Sequence, residues 1–391
     1  MIETQYKDTD LCPIPLDWEF GCFEDFLKTF SAGATPYRAV SDNFVGSIPW
    51  VSSGELNYCR IKDTREHISL EAKANTHLTL HQKGTFLMAI TGLEAEGTRG
   101  RCAILDIDAT TNQSCLALNS TPKMTVEYLF WFYRFWSDYL AFQYSQGSKQ
   151  QSYTANIVKK LPIYAPPYDE QEKIAKALSD IDSLISELGK LIEKKRSIFC
   201  GAVQQFLTGE NRLKNFSTPW KTVQIKDLMT IHSGDTIVAS DFCKGGKYPV
   251  YGANGIRGKY DRYNLDGEYI LIGRVGALCG NIHITQNKVW ASEHALVCYP
   301  IKDYNPYFIG LILERMNLIQ YSGASAQPVI AANKLYPLDI SIPSLEEQES
   351  IAAILSDMDS EIAELEKKRD KYKAVREGMM QQLLTGKIRL I

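Results

Sequence analysis

Two stretches of the chain carry apolar residues at spacings that alternate between four and three. The first runs Ile174, Leu178, Ile181, Ile185, Leu188, Ile192, Lys195, Phe199, Ala202, Phe206. The second runs Ile351, Leu355, Met358, Ile362, Leu365, Arg369, Tyr372, Arg376, Met379, Leu383. An a/d seam sustained for about five heptads predicts a long helix that buries one stripe against another helix. Many intervening positions are Glu, Asp and Lys, as on a solvated helix face. Pro166-Pro167 and Pro343 close off what precedes each helix, and Gly209 and Gly386 stand where a C-terminal cap belongs. About 35 residues at 1.5 Å each give a helix of roughly 50 Å. Lys195, Arg369 and Arg376 occupy seam positions, where they weaken the packing or face a partner instead.

Outside these stretches the period shortens. Thr85 to Ile90 and Tyr269 to Ile272, bounded by Gly and Asp, read as strands. The aromatic run Tyr128 to Phe142 is interrupted by Arg134 and Asp138 and reads as a buried helix.

The two helical stretches are copies. Gln171 to Gly209 reappears as Gln348 to Gly386 at a constant offset of 177 residues. Leu178-Ser179-Asp180 matches Leu355-Ser356-Asp357, Leu207-Thr208-Gly209 matches Leu384-Thr385-Gly386, and Arg212 matches Arg389. Upstream, Ser148, Gln150, Asn156 and Pro166 fall on Ser325, Gln327, Asn333 and Pro343. A repeat this long predicts a pseudo-two-fold object, suited to a target with two halves such as duplex DNA. The long segment between the copies lets the chain return and lay them antiparallel. The alternatives are that each seam packs on its own domain, or that the helices pair between chains.

The remaining segments, 1 to about 168 and 214 to about 345, open on Trp18 and Trp220, which are 202 apart. The first is therefore about 25 residues longer, so the globular parts diverge where the helices repeat. The constant part reads as scaffold and the variable part as the reader of the target.

Composition narrows the class. With 391 residues, 45% hydrophobic and 23% charged, the chain is a globular protein of two or three domains. No apolar run approaches the ~20 residues of a membrane helix, and the start reads as polar, without a signal peptide. Nine cysteines without a Cys-x-x-Cys predict reduced thiols in a cytoplasm. His77 and His81 stand at helical spacing without a third ligand, an ordinary pair and not a zinc site. A net charge of −3 argues against a protein that simply coats nucleic acid, but leaves room for a local basic face.

Candidate chemistry is mostly that of binding. Ala165-Pro166-Pro167-Tyr168 resembles an amino-methyltransferase signature, but Ala165 cannot hydrogen-bond a flipped base, and Ser341-Ile342-Pro343-Ser344 loses the pattern. Gly273 to Gly280 is Gly-rich without dinucleotide or Walker spacing, and reads as a tight turn that brings Arg274 to a ligand surface. Tyr251, Asn254 and Arg257 lie in a Gly-rich stretch, and Asn and Arg are the side chains that read A and G bidentately. Ser52 and Ser53, with Arg99 and Arg101, offer similar groups in the first segment, and Lys149-Gln150 and Gln327 sit in loops that lead into the repeat. The plain alternative for each is a surface turn or connector with ordinary solvated groups.

Together these residues resemble the specificity subunit of a type I restriction–modification system. The resemblance rests on the Trp openings, the Gly147-Ser148-Lys149-Gln150 and Ala324-Ser325-Ala326-Gln327 loops, the Pro-x-x-x-Glu-Gln helix openings at Pro166 and Pro343, and the Leu-Thr-Gly exits. Tyr248 to Gly255 and Ile272 to Gly276, with Ile48 to Gly54 and Asn112-Gln113, are also similar to the family's target-recognition domains. It implies an α+β fold with two globular target-recognition domains, 1–168 and 214–345, separated by two long antiparallel coiled-coil helices, 169–213 and 346–391, with pseudo-two-fold symmetry. It further implies that each domain reads one half of a split sequence in double-stranded DNA. Two methyltransferase subunits would dock on the helices, motor-nuclease subunits would join them, and the chain would be non-catalytic, without a cofactor or membrane partner. The readings from other classes are a coiled-coil scaffold without DNA binding, and a DNA methyltransferase or nuclease with fused recognition domains. The latter requires a cofactor or metal motif, and none is found.

Overall fold

A computed structural model describes residues 5–95, 99–147, 151–243, 245–323 and 327–391. The chain divides into two compact units, Met1–Glu187 with Lys368–Ile391, and Leu188–Lys367. Helices and sheets are both present in each.

The first unit holds β1 (Glu19–Cys22), β2 (Leu27–Ala32), β3 (Ile48–Val51), β4 (Cys59–Ile61), β5 (Glu66–Ile68), β6 (Phe86–Ala89), β7 (Cys102–Leu105), β8 (Thr110–Thr111) and β9 (Cys115–Ser120). Helix α1 (Val126–Tyr144), helix α2 (Ala155–Lys159) and β10 (Pro162–Ala165) follow, before the long α3 (Tyr168–Thr208) begins. Its main sheet has the order β2-β9-β6-β7-β4, a second β8-β3-β5, and a third β10-β1, and a separate two-residue ribbon pairs Tyr6–Lys7 with Ile14–Pro15 near the start. The aromatic run forms α1 as expected and supplies Tyr128, Trp131, Phe132 and Tyr133 to the core, although Phe142 at its end is 79% exposed. Phe132 meets Tyr164 of β10 edge-on with centroids 5.0 Å apart.

The second unit repeats this plan. It holds β11 (Lys221–Gln224), β12 (Met229–Ser233), β13 (Tyr248–Gly252), β14 (Gly255–Tyr260), β15 (Ile270–Gly273), β16 (Ile282–Ile284), β17 (Trp290–Ala291) and β18 (Ala295–Pro300). Helices α4 (Pro306–Arg315) and α5 (Ala332–Leu335), β19 (Asp339–Ile342) and the long α6 (Leu345–Leu383) complete the order. The sheets are β12-β18-β15-β16, β14-β13-β17 and β11-β19. In both units a short strand joins its neighbour in parallel, β8 on β3 and β17 on β13, amid otherwise mainly antiparallel pairing. The globular parts therefore share a topology although their sequences diverge. Most of the extra length of the first lies between β3 and β6, where β4 has no counterpart while β5 takes the place of β14.

The long helices run past the expected length, at 41 and 39 residues. All of the predicted seam positions are buried or half-buried. The charged seam residues are not left facing outward for a partner, because they pair within their own unit. Arg376 Nη1 lies 2.6 Å from Asp182 in the first unit, and Lys195 Nζ lies 2.6 Å from Glu361 in the second. Arg369 turns to its neighbour Asp370 at 3.1 Å. The i,i+4 spacing of the two histidines does not fall on a helix. His77 has φ +52 and His81 pairs with Ala109 as an isolated bridge, so they share no helix face.

Two polar side chains fix each long helix to its core. Gln171, 1% exposed, accepts the Thr125 backbone N–H at 2.8 Å and donates to the carbonyls of Lys123 and Pro166. Thr125 caps α1. Gln348 accepts the Asn305 N–H at 3.0 Å and donates to Pro343, and Asn305 caps α4. One amide thus satisfies backbone groups at the start of two helices, which would otherwise be buried unpaired. The preceding glutamates are equally buried. Glu170 receives Arg389 Nε and Nη2 at 2.8 and 2.7 Å, and Glu347 receives Arg212 at 3.0 and 2.6 Å. Bidentate arginine is the geometry that best compensates a buried carboxylate.

Arg389→Ala would leave Glu170, 3% exposed, with Trp18 Nε1 as its remaining side-chain donor. The expected loss is about 3–5 kcal/mol in the first unit, read as a lower urea midpoint. Arg389 also holds the Asp17 carboxyl below its ordinary value of 3.8 through a hydrogen bond. That share of stability is complete above the ordinary value and fades as the pH falls through and below it. The variant should lack this acid sensitivity, and an unchanged midpoint would contradict the role given to Arg389.

Candidate nucleic-acid interface

In the second unit the predicted residues gather where the tip of the β13–β14 hairpin meets the end of β15. Gly252 of β13 pairs with Gly255 of β14, so Ala253-Asn254 forms a two-residue turn with Asn254 exposed. Gly255 has φ +84, a conformation open mainly to glycine. Arg257 is exposed on β14, with its guanidinium 5.9 Å from the Phe242 ring. A Cβ on Gly252 would fall 2.3 Å from Arg257 Cδ, so the missing side chain is what lets the arginine stem cross the hairpin.

The hairpin tip rests on the end of β15. A Cβ on Gly273 would fall 2.4 Å from the Ala253 carbonyl. Arg274 follows, and its Nη1 donates to Ser233 Oγ at 2.6 Å. The next segment is pinned alongside: Gly276 N–H donates to Pro328 O, Ile330 N–H donates to Arg274 O, and Val275 bridges Val329. Asn254, Arg274 and the exposed Gln327 therefore border one continuous edge. Tyr251 is half-buried against the cluster of Leu265, Leu271, Val289, Ala291 and Val297. Ser233 and Phe242, which position the two arginines, carry no sequence signal that singles them out. His283 lies under the hairpin, and burial holds its imidazole below the ordinary pKa, favouring the neutral ring.

In the first unit the same edge is built with different groups. Leu93 N–H donates to Gln151 O, Tyr153 N–H donates to Ile90 O, and Thr91 bridges Ser152. Residues 151, 152 and 153 are the repeat equivalents of 328, 329 and 330. Arg99 is drawn inward, its Nε and Nη2 donating to the Leu93 and Glu94 carbonyls at 2.7 and 3.0 Å. Arg101 is half-buried beside it, and its carbonyl accepts the Ala89 N–H. Ser52 is spent on a capping box, since both its N–H and its hydroxyl donate to Glu55 at 2.8 Å. Ser53 opens the single turn behind it. Lys149 and Gln150 lie outside the described residues.

Ala165 is 3% exposed inside β10, and the carbonyl of Pro166 is taken by Gln171. Among the described residues, no group of three or more His, Cys, Asp or Glu is placed to hold a metal, and no helix is long and apolar enough to cross a membrane.

Comparison with known proteins places this geometry in context. A family model described as the type I restriction modification DNA specificity domain matches residues 15–195 and 217–372. The chain is 29% identical to the type I restriction enzyme EcoprrI specificity subunit of Escherichia coli, over 92% of each chain. It is 24% identical to the type I restriction enzyme MjaVIII specificity subunit of Methanocaldococcus jannaschii, covering 99% of this chain and 97% of that one. Its fold is similar to the crystal structure of a type I restriction–modification S subunit from M. genitalium, with a TM-score of 0.70 at 15% identity over 94% and 96% of the two chains. A chain from a structure of type I system assembly and conformational transition follows at a TM-score of 0.53, 15% identity and 96% and 99% coverage.

Two substitutions separate positioning from contact. Gly273→Ala drives a methyl into the Ala253 carbonyl and should cost about 1–3 kcal/mol. Arg257→Ala, on an exposed strand, should stay within about 0.5 kcal/mol. Thermal unfolding reads both, and equal shifts would show that the hairpin does not lean on β15.

Proposed function

The chain belongs to the type I restriction–modification DNA specificity family, and on that premise we propose that each of its globular segments reads one half of a bipartite DNA target. It is a DNA-recognition subunit, not itself an enzyme, and it works with modification and restriction subunits. The observation that carries the two-half reading is the recurrence of one three-sheet topology, each copy locked to a long helix by the same Glu-Gln pair.

In this reading the reading domains are 1–168 and 214–345, and the repeats 169–213 and 346–391 form an antiparallel coiled coil with pseudo-two-fold symmetry. Two modification subunits dock on the repeats. The helices act as a ruler, since half-sites read from one face of B-DNA lie about 34–36 Å apart. Asn254, Arg257, Arg274 and Gln327, with Tyr251 behind them, form the second reading edge. Ser52, Ser53, Arg99 and Arg101, with Lys149 and Gln150, form the first. Arg99 acts by shaping its turn, while Arg257 and Asn254 are free to reach bases. The chain carries no cofactor of its own and acts on DNA in the cytoplasm.

Exchange of residues 214–345 for the second domain of another family member should change one half of the methylated motif and keep the other. A change in both halves would contradict independent reading. Arg257→Ala should cost about 1–3 kcal/mol at the second half-site alone, since one bidentate base contact is lost. Binding assays on targets altered in each half measure it, and an unchanged affinity and motif would return the residue to a solvated surface role.

A further inference from the structure

The two units differ at one sheet edge. In the first, β4 covers the outer edge of β7 in parallel, with Cys59, Arg60 and Ile61 opposite Ala103, Ile104 and Leu105. Tyr58 N–H donates to Cys102 O, and Asp106 N–H donates to Ile61 O. Arg60, at the centre of β4, lies 2.9 Å from Asp106 and 2.8 Å from Glu127. Under this cover Cys102, Ala103 and Ile104 are 0%, 0% and 3% exposed.

The equivalent strand of the second unit is β16. It pairs with β15 through Ile282 and Ile284, as β7 pairs with β6 through Cys102 and Ile104. It ends its sheet, and all three of its residues are half-buried. The register shows which backbone groups are free. Gly273 N–H reaches Asn281 O and Thr285 N–H reaches Tyr269 O, so residues 281, 283 and 285 bond inward. The alternation of antiparallel pairing then turns the N–H and C=O of Ile282 and Ile284 outward.

The cleft beside this edge, about 690 Å³, is lined by Glu268, Glu314, Glu349 and Asp359 and by no Lys or Arg. The repeat shows what has changed. Asp182, the counterpart of Asp359, is bridged in the first unit by Arg134 and Arg376 at 3.4 and 2.6 Å. Their counterparts are Glu314, at the same distance from its helix cap, and Phe199, at the 177-residue offset. Both cations are gone. Among the described residues none of the four carboxylates has an ion-pair partner. Such a face repels DNA phosphates and attracts a cation.

We propose that the outer edge of β16 takes an extended strand from a modification subunit, in the manner of β4, with a Lys or Arg that reaches the carboxylates of the cleft. Strand addition satisfies the outward backbone groups, and the carboxylates select the basic residue. The cleft is floored by α6, the helix on which that subunit docks in the reading above, and the proposal rests on that reading.

Hydrogen exchange of the full chain, alone and assembled with its modification subunits, tests it over residues 281–286. The expected result is that the amides of Ile282 and Ile284 slow about tenfold or more on assembly. A variant with Glu314→Gln and Asp359→Asn should still assemble but lose most of that slowing. A complex of the right mass with unchanged exchange at both amides would overturn the strand while leaving the functional reading intact. Slowing that needs the restriction subunits would overturn the assigned occupant. Failure of the wild-type chain to assemble at all would remove the functional reading, and this proposal with it.

Discussion

The fold depends on how a long charged helix is joined to a small sheet core. A helix that leaves a core exposes its own first N–H groups and buries those of its neighbours. Here the solution is a glutamine that accepts from the cap of the preceding helix and donates to the proline carbonyl before its own. The adjacent glutamate is buried at the same point and is compensated by an arginine from the segment after a Leu-Thr-Gly exit. Each compact unit is therefore closed by residues from both copies of the repeat. This explains why Glu170-Gln171 and Glu347-Gln348 match while the surfaces around them differ.

Much of this architecture is legible in the sequence where the signal is local. The four-three spacing marks the helices, and the 177-residue offset marks the duplication. Sheet order is not local. The shared topology of the globular parts is hidden because the offset drifts from 202 at the tryptophans to 177 at the helices, in large part through the inserted β4 and its flanking loops. Lys195 and Arg376 look like defects in one dimension, since their carboxylate partners Glu361 and Asp182 lie far away along the chain.

The candidate site divides in the same way. A Gly-rich stretch with Asn and Arg does form an exposed hairpin. The spacing of Ser52 and Glu55 is itself a capping-box signature, so the local bonding of that serine is readable. The inward turn of Arg99 is not, because its acceptors are carbonyls whose direction only the folded turn decides. The same is true of Ser233 beneath Arg274. The two edges thus share a scaffold of paired backbone segments and differ in which side chains remain free. That is the condition under which one fold can read different bases.

In the proposed function, two like units read two separate blocks of DNA sequence. Methylation-aware sequencing of DNA from cells that carry the chain with its modification subunits tests it directly. Two like units should give a bipartite motif, two specific blocks divided by a spacer of fixed length and free sequence. A single uninterrupted motif, or modified sites that persist when the chain is removed, would contradict it.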